Sequence, residues 1–243
     1  MPRSRTLLVV FSVVTVANLL ANAVDSAVAE LLTKPLLMPL LAAYLWRAAT
    51  ERGARPDYLV LAALACSTAG DVALLASGTG WFIAGMVCFL AAHVCYLVAF
   101  TRHGAATRLR RPPLVAAPLL YAALTVAALA WMWAGLTEAG LAVPVAGYAV
   151  ALAAMATTAV TQGWRVGVGA ALFLGSDLLI ASGVADVAQP PGASVLVMAT
   201  YAAGQALIVI GRVARADRRG GHSSSCARSA VRTSSVSPSP SRR

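Results

Sequence analysis

The sequence predicts an all-α protein, a polytopic transmembrane bundle of about eight helices, and three observations carry that reading. The 243 residues are 59% hydrophobic and only 12% charged, with a mean hydropathy of +0.76. Soluble domains run about 45–50% apolar and about 25% charged, so a soluble domain is excluded. Eight apolar runs approach or reach the roughly 20 residues that a span needs: Leu7–Val24, Val28–Arg47, Tyr58–Ser77, Trp81–Phe100, Leu114–Ala134, Leu141–Thr161, Gly167–Val184 and Ser194–Val213. The arginines then alternate with the spans. With a cytoplasmic N-terminus every arginine falls inside, while Asp25, Glu30, Glu138 and Asp186 fall outside with none. This positive-inside pattern puts both termini in the cytoplasm of a plasma-membrane protein. It also accounts for the net charge of +10 without a nucleic-acid partner.

Taken in order, the first run admits a rival. Arg3 and Arg5, the apolar stretch and Ala27-Val28-Ala29 imitate a signal peptide with a small-residue cleavage site. Cleavage would put one end of the charge alternation out of phase, so an uncleaved span is the better reading. The second run carries Lys34 before Pro35, a proline expected to bend or restart the helix. Breakers at Gly53 to Pro56, Ser77 to Gly80 and Gln189 to Gly192 mark loops. Cys66, Cys88 and Cys95 read as small buried apolar residues, since no Cys/His ligand spacing occurs. Residues 1–213 form the membrane domain. Residues 214–243, rich in Arg, Ser, Gly and Pro, have too few large apolar side chains for a core and are expected to be a disordered basic tail.

Asp71 and Asp177 lie inside the third and seventh runs. A carboxylate at mid-membrane costs roughly 2.5–3.5 kcal/mol on insertion scales, so each is a functional candidate by default. The surrounding segments resemble each other: Gly70-Asp71-Val72-Ala73-Leu74-Leu75-Ala76-Ser77-Gly78 against Ser176-Asp177-Leu178-Leu179-Ile180-Ala181-Ser182-Gly183. Both cross in the same direction four spans apart, as tandem four-helix halves would require, although chance likeness in apolar sequence is an equal reading. At 1.5 Å per residue, Lys34, Asp71, Asp177, Tyr201 and Gln205 fall about 9–16 Å below the outer ends of their spans. His93 and Tyr96 fall deeper, the histidine at about 18 Å.

Bland readings stand beside the functional one. Lys34 can snorkel to the outer surface, His93 can be a hydrogen-bonded core histidine, and Tyr201 and Gln205 can be interhelical glue. Asp71 and Asp177 can be structural partners of Lys34 or of hydroxyls. A zinc site on one histidine and two aspartates lacks a spacing signature, and neither metal nor cofactor is expected. The same buried acids with Lys34 and His93 could instead serve a proton-coupled transporter or a lipid-binding protein.

The motifs Thr33-Lys34-Pro35-Leu36-Leu37-Met38-Pro39, Ser67-Thr68-Ala69-Gly70-Asp71, Gly85…Phe89…His93…Tyr96, Gly175-Ser176-Asp177-Leu178-Leu179 and Tyr201…Gln205 occur in this order. Together they resemble the YhhN-like lysoplasmalogenase family of eight-span membrane proteins over about residues 5–213. The resemblance implies hydrolysis of the vinyl-ether bond of a lysophospholipid, a lysoplasmalogen, to a fatty aldehyde and a glycerophospho-alcohol. Membrane lipids would be its surroundings. The chemistry is compatible: protonation of the vinyl ether's β-carbon gives an oxocarbenium ion that water captures, a task for one neutral carboxylic acid and one carboxylate. Asp71 and Asp177 are the catalytic candidates, supported by Lys34, His93, Tyr96, Tyr201 and Gln205.

Overall fold

The computed structural model describes residues 3–112 and 114–234, with side chains through Arg215 apart from Ala106. The described residues hold helices and no strand: α1 (Arg3–Ala23), α2 (Ala27–Thr50), α3 (Tyr58–Ala73), α4 (Thr79–Arg102), α5 (Ala105–Leu109), α6 (Ala117–Glu138), α7 (Ala142–Ala159), α8 (Trp164–Val184) and α9 (Ala193–Ser234). Seven of them are long and apolar enough to cross a membrane; for α9 the stretch concerned is Ala193–Arg215. The all-α polytopic bundle is therefore the fold. Its helices satisfy their own backbone polar groups, the condition for crossing hydrocarbon. The helical backbone of α9 continues beyond Val213 to Ser234, while residues 235–243 of the expected tail lie outside the described residues.

Two expectations change. The third run is helical only over Tyr58–Ala73, 16 residues, or about 24 Å against a hydrocarbon core of about 30 Å. Its end is set by the backbone and not by apolarity: Leu75 and Ala76 close tighter turns onto Val72 and Ala73. Gly78 then adopts φ 111°, which side-chain-bearing residues rarely adopt. Pro35 does not restart its helix either. It lies with Pro39 inside a continuous α2, where surrounding helices make a missing backbone bond tolerable.

Consecutive helices pair, most extensively α1 with α2, α3 with α4 and α8 with α9. Helix α4 also packs on α7, and α9 returns to α1 and α2, which closes the bundle; α6 sits outside on α7 and α8. Leu37, Met38, Leu41, Leu64, Phe100, Phe173 and Ile208 are fully buried. Val13, Val16, Leu119, Val126, Val143 and Val150 are exposed, the outward apolar belt that lipid tails would cover. Because lipid is as apolar as leucine, close packing must hold the helices together. The α8–α9 crossing shows how: a Cβ on Gly169 would lie 2.6 Å from the Gly204 carbonyl oxygen, and one on Gly204 2.7 Å from that of Gly169.

Candidate active site

Asp71 is set on the inner face of α3 by the small residues around it; a Cβ on its neighbour Gly70 would strike the Phe89 ring at 2.7 Å. Asp71 is 2% exposed, and its Oδ2 accepts the Tyr201 hydroxyl of α9 at 2.8 Å. One turn inward, Gln205 extends this string of hydrogen bonds. Its Oε1 accepts the Tyr96 hydroxyl at 2.6 Å, and its Nε2 donates to Ser67 Oγ at 3.1 Å. The i,i+4 spacings Ser67/Asp71 and Tyr201/Gln205 thus match across α3 and α9, with Tyr96 joining from α4. Each polar group in this string finds a partner, as burial demands.

Asp177 forms a second string. Its Oδ2 accepts the Tyr148 hydroxyl at 2.6 Å and lies 3.2 Å from His93 Nε2, which is itself 2.8 Å from the Tyr148 hydroxyl. His93 Nδ1 is buried without a hydrogen-bond partner. His93 therefore meets Asp177 directly and does not form a separate layer with Tyr96. Counting residues from helix ends leaves out helix tilt and the reach of the side chains.

The two strings abut through aromatic rings. Phe173 lies between them, its centroid 4.7 Å from His93 and 5.3 Å from Tyr201. Their connectivity is reciprocal: α3's acid is bound by α9, and α8's acid reaches α4, so each acid meets the last long helix of the other half of the chain. That is the arrangement tandem halves would give if they exchanged contacts.

Lys34 pairs within its own helix and not with either acid. Its Nζ meets Glu30 Oε1 at 3.1 Å, one turn towards the N-terminal end of α2, with the lysine side chain 12% exposed. It remains within electrostatic range of Asp71, as does Asp177.

The cavities distinguish the two acids. Asp177 and Tyr148 line an apolar cavity of about 240 Å3 between α6, α7 and α8, walled by Leu124, Leu129, Met132 and Leu174. They also line a smaller one of about 50 Å3 towards α3 and α4, with Phe89 and Leu74. Asp71, His93, Tyr96, Tyr201 and Gln205 line neither. Among the described residues no three His, Cys, Asp or Glu side chains converge as a metal site would require.

Tyr148 is the site residue the sequence reading passed over. Its only signal was a hydroxyl in the middle of an apolar run, and its partners lie on other helices.

Residues 29–212 match the sequence model of the YhhN family. The chain belongs to the YhhN family. No curated protein and no solved structure matches it. The YhhN match covers both acids and every partner described above, and α1 precedes it.

Proposed function

We propose that this YhhN protein is a membrane-embedded hydrolase that cleaves the vinyl-ether bond of a lysoplasmalogen to a fatty aldehyde and a glycerophospho-alcohol. The observation that carries the reading is Asp177: a carboxyl held by a tyrosine and a histidine, placed at the wall of an apolar cavity of about 240 Å3. Such a cavity suits an aliphatic chain, with few polar groups to fix the reacting end.

In the proposed reaction a carboxylic acid protonates the β-carbon of the vinyl ether, and the positive charge settles on the ether oxygen and its carbon. Water adds to that carbon and returns a proton to a carboxylate. The hemiacetal then collapses to aldehyde and alcohol. Asp177 is the group positioned to meet the substrate; Asp71, behind the Phe173 and Phe89 rings, completes the pair of acids. The same reading places both termini on the cytoplasmic side.

The test is aldehyde release from a vinyl-ether lysolipid by purified protein, with Asp71→Asn and Asp177→Asn compared. An amide keeps the shape but can neither donate an acidic proton nor carry the negative charge. Each variant should lose at least the roughly 100–10,000-fold typical of acid–base catalysis while remaining folded. Full activity in either variant removes the two-acid mechanism. Folded wild-type protein that is inert on every vinyl-ether lysolipid favours proton-coupled transport through the same acids.

A further inference from the structure

A cavity of about 410 Å3 opens at the arginine-rich end of the bundle, between the ends of α2 and α4, the start of α3 and the inner part of α9. Arg52, Arg55, Arg102, His103 and Arg212 line it, with Asp57 as its one acid. Leu45, Ala48, Leu59 and Val213 form an apolar wall. We propose that this pocket binds a phosphate-bearing anion, of the kind offered by an anionic lipid headgroup or by a soluble phosphate ester.

The floor of the pocket is built, not incidental. Arg212 is 7% exposed. Its Nη2 contacts Asp57 Oδ2 at 2.5 Å and its Nη1 donates to Gln162 Oε1 at 3.1 Å. His103 lies against the same guanidinium, and its Nδ1 is 2.6 Å from the Ala99 carbonyl oxygen. The Arg212 Nε, also buried, has no partner. Asp57 is thus already engaged by Arg212. Arg55 and Arg102 are exposed at the rim, with no carboxylate within ion-pair distance among the described residues. Guanidinium groups on several sides of one concavity are the chemistry that recognises a phosphate.

The surroundings put this pocket at headgroup depth. Tyr58 lines it and meets Trp46 edge-on at 6.3 Å, and both are exposed on the outside of the bundle. A Trp–Tyr pair in that position marks the membrane–water boundary. The apolar wall beside the arginines gives a lipid's glycerol and first methylenes a surface to lie on.

The pocket is also separate from the acids. Asp57 precedes Asp71 by 14 residues (71 − 57) along α3, about 21 Å of helix. A lysolipid's phosphate is divided from its ether only by a glycerol unit, far shorter than that distance. One molecule cannot place its phosphate here and its ether at Asp71.

The experiment is native mass spectrometry of full-length protein in neutral detergent, titrated separately with phosphatidylglycerol, phosphatidylcholine and glycerol 3-phosphate. Phosphatidylglycerol should be retained over phosphatidylcholine. Arg55→Gln/Arg102→Gln should weaken that retention about tenfold or more, because two charge-assisted contacts are lost. Arg110→Gln/Arg111→Gln removes the same charge outside the lining and should leave it unchanged. Arg55→Lys/Arg102→Lys should restore most of the binding, which separates charge from folding. Glycerol 3-phosphate that binds with the same dependence on Arg55 and Arg102 identifies a soluble ester as the source; binding of the lipid alone identifies a headgroup. Equal retention of the two lipids, or unaltered retention of phosphatidylglycerol in the Arg55/Arg102 glutamine variant, overturns the proposal.

Discussion

Tyr148 of α7 donates its hydroxyl to Oδ2 of Asp177 on α8 at 2.6 Å, and both side chains line the same apolar cavity. The phenol therefore sets where the carboxyl points and which of its oxygens is left for another partner. Tyr148→Phe keeps the ring, packed 5.2 Å from the His93 centroid, and removes only the hydroxyl, with its bond to Asp177 and its contact with His93 Nε2. Losing one hydrogen bond to a charged or reacting group costs about 1.5–3 kcal/mol. On the proposed function, kcat for vinyl-ether cleavage should fall about tenfold to a hundredfold, while the melting temperature moves little. Parallel kinetics and thermal melts check this; an unaltered kcat would remove Tyr148 from the site.

Much of the site was legible because burying a polar group in hydrocarbon is expensive. Asp71, His93, Tyr96, Asp177, Tyr201 and Gln205 stand out in apolar runs for that reason alone, and all six meet polar partners. Tyr148 did not stand out, because a tyrosine's aromatic body is at home in a span and its hydroxyl is answered by α4 and α8. No local spacing encodes that meeting. The short α3 was hidden because apolar composition continues through Leu74, Leu75 and Ala76 beyond the last helical residue. The Arg212 cluster was hidden for another reason. A charge excess reports the side of the membrane, so arginines that pair and arginines that line a pocket read alike.

Arg212 should dominate stability at the arginine-rich end of the bundle. It bridges Asp57, Gln162 and His103 from a buried position, joining α9 to the start of α3, the end of α7's following turn and the end of α4. Removing one member of a buried ion pair costs about 3–5 kcal/mol, since the other charge is left without its partner. Arg212→Ala should therefore lower the unfolding temperature sharply in detergent. Arg212→Lys should recover only part, because an ammonium cannot span the three partners as the guanidinium fork does. A melting curve of Arg212→Ala that coincides with wild type would show the cluster to be inert.

A second contact ties α1 to the loop after α2 and responds to pH. Glu51 accepts the Ser4 hydroxyl at 2.6 Å and the Ser4 backbone N–H at 3.0 Å. These bonds, the side-chain one foremost, hold its carboxyl below the ordinary value of 4.5. A folded-state pKa that is depressed stabilises above the unfolded value, and that contribution is lost as pH falls through the folded pKa. The small melting-temperature advantage of wild type over Glu51→Gln should be present at neutral pH and should close below about pH 4.5. A gap that persists unchanged at lower pH would mean that the glutamate's charge plays no part in the contact.

The Gly169–Gly204 crossing sets how near α8 can bring Asp177, and α9 its Tyr201, to the centre of the bundle. Neither glycine is needed for backbone freedom; both lie within helices, where alanine is normally preferred by about 1 kcal/mol. The steric term decides the sign. At Gly204 a new methyl would lie 2.7 Å from the Gly169 carbonyl oxygen and 3.0 Å from the Phe173 backbone nitrogen. Backbone cannot rotate aside as a side-chain end can, so the helices must part, at a cost of about 1–3 kcal/mol for an overpacked contact. Gly147 on α7 is the internal control, since a Cβ there would meet nothing within 4 Å. Gly204→Ala should lower the melting temperature and also reduce activity, because parting α8 from α9 disturbs Phe173 between the two strings. Gly147→Ala should leave activity intact and match or exceed wild-type stability. If both substitutions behave alike in melts and in kinetics, close approach at this crossing does not position the site.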